Sequence, residues 1–182
     1  MLLFGYTWEI PGGKHWTGAA GALLKGWNVS GVQRYESGRP LNITMDNPFG
    51  GFLFNPQRRP DRAKGVTAKA ATQGSFFNPR LQNYFNGNAW TDPGANPFGN
   101  AARADGSARG FATYSEDINL FKTFALTEQW NLRFDAQFGN IFNRTQFCDP
   151  STFWTPNTTT FGSIGTQCNQ ARSIQFGLKI SY

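Results

Sequence analysis

The run "QWNLRFDAQFGNIFN", residues 129–143, decides the fold. Trp130, Leu132, Phe134, Ala136, Phe138 and Phe142 occupy even positions, with Asn131, Arg133, Asp135, Gln137 and Gly139 between them. A period of two marks a strand with one apolar and one polar face. The run is also long. Soluble strands commonly have about 5–6 residues, whereas about 9–11 tilted residues take a β-strand through membrane hydrocarbon.

The same pattern recurs outward from this stretch. "ARSIQFGLKISY" (171–182) places Ile174, Phe176, Leu178, Ile180 and Tyr182 on one face up to the last residue. Chain ends fray unless something holds them, so this alternation predicts a strand kept in register to its end. "MLLFGYTWEI" (1–10) alternates through Leu2, Phe4, Tyr6, Trp8 and Ile10. It has neither the basic region nor the long apolar core of a signal peptide, and it reads as starting inside a strand of something longer. In "GWNVSGVQRYESGRPLNITM" (26–45) the odd positions carry Trp27, Val29, Tyr35, Leu41, Ile43 and Met45. The phase survives the central "ESGRP", which predicts one very long strand or two collinear pieces joined at Gly38–Pro40. "SEDINLFKTFAL" (115–126) is weaker, with Ile118, Leu120 and Phe124 on one side and Phe121 on the other. The expected fold is therefore all-β: five antiparallel strands near 2–10, 26–45, 115–125, 129–142 and 171–182, in meander order.

Composition leaves two classes open. Charged residues are 15% of the 182 and aromatics 16%, including 18 Phe and 6 Trp, with 21 Gly and 10 Pro. Soluble domains average about 25% charged residues. Mean hydropathy is −0.46, and no stretch approaches the 18 or more apolar residues of a membrane helix. A soluble all-β domain fits, and so does a transmembrane β-barrel, whose alternating strands average out as polar. The connections favour the barrel. "LTEQ" (126–129) is a tight turn and "PGGKHWTGAAGALLKG" (11–26) a moderate one, whereas 46–114 and 143–169 are long. Short turns fall at one end of the sheet and long loops at the other, as in outer-membrane barrels.

Part of the net charge of +6 is concentrated in "NPQRRPDRAKG", where Arg58, Arg59, Arg62 and Lys64 surround Asp61. Prolines interrupt the run and no nucleic-acid recognition fold is evident, so it reads as a solvated loop and nucleic acid is not expected as a partner.

Several pieces, in order, resemble the C-terminal barrel region of TonB-dependent outer-membrane receptors, closest to the Oar-like group with its carboxypeptidase-regulatory-like N-terminal domain. They are "GWNVSGVQRYESGRPLNIT", "RRPDR", "FFNP", "FGNAAR", "DINLFKTFALTEQWNLRFDAQFGNIFNRTQF", "FGSI" and "RSIQFGLKISY". The resemblance implies a fragment of a 22-stranded barrel, without the plug, the TonB box or the regulatory-like domain. It implies as partners the rest of the barrel and plug, the TonB system acting through the plug, the outer-membrane assembly machinery, and lipid or lipopolysaccharide. It also implies that the Ile174–Tyr182 row, with its terminal aromatic, is an assembly signal.

Catalytic chemistry is not expected, and neither a cofactor nor a metal is implied. His15 has no Cys or His partner nearby. "PGGKHWT" lacks the full glycine spacing and the Ser/Thr after Lys of a phosphate loop. Asp117 and Asp135 have no positioned acidic mate. Four glycosylation-like tripeptides, starting at Asn28, Asn42, Asn143 and Asn157, read as chance. Cys148 and Cys168 both lie in the second long loop, and in an oxidising compartment a disulfide would close roughly 20 residues, worth about 3 kcal/mol. Free or metal-linked thiols are the alternative.

The loop 46–114 is where a ligand would be met. Phe49, Phe52, Phe54, Phe76, Phe77, Tyr84, Phe85, Trp90 and Phe98, together with many Asn residues, suit a sugar or a peptide. The plain alternative is that these rings pack the loop on itself. Trp90, Tyr84, Phe98, Arg58 and Arg59 are the candidate ligand contacts, with the arginines also suited to lipopolysaccharide phosphates. The function expected is part of a TonB-dependent receptor that takes up or exports a large substrate. The alternatives are a structural or adhesive outer-membrane barrel and a soluble carbohydrate-binding β-sandwich.

Overall fold

The computed structural model describes residues 1–11, 17–49, 57–73, 76–96 and 98–182. His15 and the rest of "GGKHW", together with Phe52 and Phe54, lie outside the described residues. In chain order the elements are β1 (Leu2–Glu9), α1 (Gly18–Leu24), β2 (Trp27–Glu36), β3 (Pro40–Leu41), β4 (Met45–Asp46), β5 (Gln57–Arg58) and β6 (Asp61–Arg62). A 3-10 turn (Gly87–Ala89) follows, then β7 (Trp90–Thr91), β8 (Asp105–Arg109), β9 (Thr113–Ala125), β10 (Asn131–Gly139) and β11 (Ser173–Ser181). The chain divides into two compact units.

The first unit comprises 1–37, 113–146 and 169–182. It is one sheet in the order β1-β2-β9-β10-β11, antiparallel throughout. Directly opposed residues share a face, so the register assigns every side chain. Trp27, Val29, Gly31 and Tyr35 of β2 lie opposite Lys122, Leu120, Ile118 and Tyr114 of β9. Phe134, Ala136 and Phe138 of β10 lie opposite Leu178, Phe176 and Ile174 of β11. Tyr6 opposes Gly31, and a Cβ at Gly31 would meet the Tyr6 ring at 2.8 Å, so the missing side chain is what lets that ring lie over the strand. The β9–β10 hairpin closes through Thr127, whose hydroxyl accepts from the Trp130 amide at 3.1 Å.

Of the two readings of 26–45, the single unbroken strand is corrected: β2 stops at Glu36, and pairing resumes only at β3, Pro40–Leu41. Gly38 runs hard against Gly110, where any Cβ would collide with the Gly110 carbonyl. Leu41, Ile43 and Met45 keep the strand parity but point into a different core.

That core belongs to the second unit, 38–112 and 147–168. The segments read as long loops thus hold a folded body. Its regular structure is slight, three two-stranded ribbons pairing β3 with β8, β4 with β5 and β6 with β7. Its interior is aromatic. Trp90 and Phe161 are fully buried with ring centroids 5.1 Å apart, Phe85 stacks on Phe161 at 5.6 Å, and Tyr84 packs on Phe111 at 4.3 Å.

Candidate functional site

The sheet's two faces differ in the way its alternation implies. One face carries Phe4 and Trp8, Val29, Ile118 and Leu120, Phe134 and Phe138, then Ile174, Phe176, Leu178 and Ile180. On β11 this row is 52–73% exposed from Ile174 to Ile180. A continuous apolar surface of this extent marks a contact with something apolar. Aromatic residues border it at both ends. Toward the short turns lie Trp8, Trp27, Trp130 and Tyr182, with the last two rings 5.3 Å apart. Toward the long connections lie Tyr35 and Tyr114, 6.0 Å apart.

The separation of these borders has the right scale. Trp27 and Tyr35, one in each border, lie eight positions apart on β2, roughly 26 Å along a strand at about 3.3 Å per residue. A tilt of 35–45° shortens that to about 19–22 Å, the scale of the apolar band of a barrel in the outer membrane, about 25 Å.

Two charges interrupt the apolar face, one near each border, and each has partners. Glu116 is fully buried and accepts from the Arg144 Nε at 3.0 and 3.1 Å on its two oxygens. The Arg144 guanidinium also lies over the Tyr114 and Phe142 rings. Lys122, 4% exposed, donates to the Ala22 carbonyl of α1 and sits 4.6 Å over the Phe124 ring. The Trp27 indole donates to the neighbouring Leu23 carbonyl at 2.9 Å. The last carbonyls of a helix have no partner within it, and here a cation and an indole from the sheet supply two. Neither α1 nor these anchors is evident in the strand reading, although Glu116 and Lys122 do break the apolar parity of 115–126.

The opposite face is wet. Thr7, Ser30, Asp117, Asn119, Gln137 and Gln175 border an open hollow of about 740 Å³. Arg133 forks onto Asp135 at 2.8 and 2.9 Å, and Asn119 donates to the same carboxylate at 3.4 Å.

In the second unit the expected ligand residues take different positions. Phe98 is 66% exposed and Arg59 half-buried. Tyr84 is buried, and burial raises its phenol pKa above the ordinary value. Arg58, expected in a solvated basic loop, is instead buried. It donates to the carbonyls of Asp46, Gly94 and Asn96 at 2.8–3.2 Å and to Asp92 at 2.6 Å. Arg62 likewise holds the carbonyls of Ala63, Ala89 and Val66 and lies over the Trp90 ring. A chain with little regular structure leaves many carbonyls unpaired, and the guanidinium's five donors serve several at once. These two arginines clamp backbone and are not presented to phosphates.

Cys148 and Cys168 are bonded, with Cα atoms 4.8 Å apart. A bridge between Phe147 and Gln167 flanks the bond. The loop so closed delivers Trp154 and Phe161 to the core. Trp154 donates to the Gly87 carbonyl at 2.9 Å, joining this loop to the first segment of the unit. Beside that junction lies a cavity of about 490 Å³ that includes Trp90, Asn88 and Asn157 in its lining. Among the described residues there is no group of three or more His, Cys, Asp and Glu placed to hold a metal.

A family model described as an outer membrane beta barrel domain matches residues 1–175. No curated protein and no solved structure matches the chain. The match spans both units and agrees with the two-faced sheet, its apolar band and its aromatic borders. The soluble β-sandwich reading is thereby set aside. The chain belongs to the outer membrane beta barrel domain family, and its place is the bacterial outer membrane.

Proposed function

We propose that this chain is the C-terminal part of the barrel of a TonB-dependent receptor of the Oar-like kind, which moves a large substrate across the outer membrane. The observation that carries the reading is the second unit. More than half of the residues belong to it, and it has a disulfide, two arginine clamps and an aromatic core. Long connections with their own fold are commonly functional, and a receptor that captures its cargo would use such a body. The ordered resemblance from Gly26 to Tyr182 supports the same reading. In this proposal the protein does no covalent chemistry and uses no cofactor. The first unit contributes five strands of a closed wall, since an open sheet edge is not tolerated in lipid. The rest of the barrel and its plug complete that wall, and the TonB system supplies the energy through the plug.

The test is biochemical. Full-length protein, solubilised from outer membranes, should be retained on immobilised periplasmic TonB domain, and the gene should encode a plug upstream of this region. A gene without a plug, or a protein that passes straight through, would leave a structural or adhesive barrel as the better account.

A further inference from the structure

The helix α1 carries no polar side chain. Its seven residues, "GAAGALL", are glycine, alanine and leucine, yet of these Gly21 alone is buried. Leu23 and Leu24 are 62% and 49% exposed. A helix that is apolar all round belongs in an apolar setting, either a protein interior or lipid. Here the protein covers almost none of it. The helix also needs outside support. Isolated helices shorter than about 12–15 residues are marginal in water, and the Thr17 side chain makes no cap hydrogen bond.

Two anchors fix its place on the sheet. The Lys122 ammonium donates to the Ala22 carbonyl, and the Trp27 indole donates to the Leu23 carbonyl at 2.9 Å. Both side chains belong to the apolar face, since Trp27 opposes Lys122 and Lys122 opposes Phe134. The C-terminal end of α1 is therefore drawn onto the apolar side of the wall, away from the polar hollow. It lies at the aromatic border nearest the short turns. Leu23 and Leu24 sit at that same end, so they extend the apolar surface of the strands. In outer-membrane barrels the short turns are periplasmic, and the lipid at that border is the phospholipid of the periplasmic leaflet.

We infer that α1 is an interfacial helix that places Leu23 and Leu24 among the phospholipid chains of the periplasmic leaflet, just inside the headgroups. Continuity names the occupant: the surface that these leucines extend is the one an outer-membrane barrel turns to lipid. Interfacial helices bury their apolar face about 5–10 Å into the boundary between headgroups and chains. With seven residues, α1 is about 10 Å long at about 1.5 Å per residue, short enough to stay within that layer. The inference stands apart from the receptor reading, because it needs the wall and neither a plug nor a cargo.

Full-length protein without other free cysteines carries Leu23→Cys and a bimane label, and is reconstituted into phospholipid vesicles. The lipid is brominated either near the headgroup or near the chain end. Emission should fall about twofold or more with bromine near the headgroup, and less with bromine near the chain end. Iodide in the water should scarcely quench it. Glu128→Cys, in the exposed β9–β10 turn, should respond to iodide and to neither lipid. Leu178→Cys, 73% exposed on the apolar face of β11, should respond most to the deeper bromine. Heat-modifiable mobility confirms that each variant is assembled, and Leu24→Cys repeats the test at a second position. Labels at the leucine positions that iodide quenches and bromine does not would put the helix in water. Labels that neither quencher reaches would put it under a second copy of the chain or a periplasmic protein. Either result overturns the inference.

Discussion

The ammonium of Lys122 on β9 donates to the carbonyl oxygen of Ala22 in α1, a residue one hundred positions earlier in the chain. Lys122 lies between Trp27 and Phe134 on the apolar face, where an unpaired cation would be expensive. Lys122→Ala should therefore cost stability in two ways, by losing a charge-assisted bond and by freeing the end of α1. The expected loss is about 1.5–3 kcal/mol, read from urea unfolding of the full-length barrel in lipid vesicles. Lys122→Met, which keeps the packing, should cost less. Equal stability of all three proteins would remove the anchoring role.

Arg144 and Glu116 form an unequal pair. The carboxylate is fully buried, whereas the guanidinium side chain is 48% exposed. Arg144→Met would strand a buried charge, at about 3–5 kcal/mol. Glu116→Gln keeps an acceptor for the arginine and should cost clearly less. The same unfolding measurement checks the order, and the reverse order would contradict this description of the pair.

Tyr182 packs its ring 5.3 Å from that of Trp130, in the aromatic border nearest the short turns. Deleting it from the full-length protein should lower the amount assembled in the outer membrane far more than Tyr182→Phe does. Heat-modifiable mobility of outer-membrane fractions measures this. Deletion with wild-type assembly would show that the terminal aromatic is dispensable.

Cys148 and Cys168 should both escape alkylation in unreduced protein and both react after reduction, as mass analysis will show. Replacing the pair with serine should destabilise the second unit by about 3 kcal/mol, the loop-closure value for a loop near twenty residues. Quenching of Trp154 fluorescence would report it. Two labelled thiols before reduction would refute the bond.

The strands were legible wherever the two faces meet different surroundings. Trp130 to Phe138 alternates without a break because each position is committed to one side. The same rule misled at Leu41, Ile43 and Met45, which keep the parity of β2 but serve another core. Parity records burial, and it does not say against what. Arg58 and Arg62 misled for a related reason. Charge suggests solvent, but a guanidinium in a chain poor in sheet and helix is a source of donors for carbonyls. The helix α1 was invisible because seven residues of "GAAGALL" have no strong signal, and its anchors come from β2 and β9. The cavity was only partly legible. Trp90 was singled out, but Asn88 and Asn157 are 69 positions apart in sequence, and only the fold brings them to one wall.

The second unit also bears on how this chain can vary. Surface connections usually tolerate insertions and deletions freely. Here one core is assembled from two separate connections: Phe85 and Trp90 come from the first, Trp154 and Phe161 from the second. A length change near either set must be matched by the other. Drift between relatives should therefore gather at positions that touch neither the aromatic core nor the arginine clamps, such as the exposed turn around Arg80 and Leu81. The two connections should gain and lose residues together.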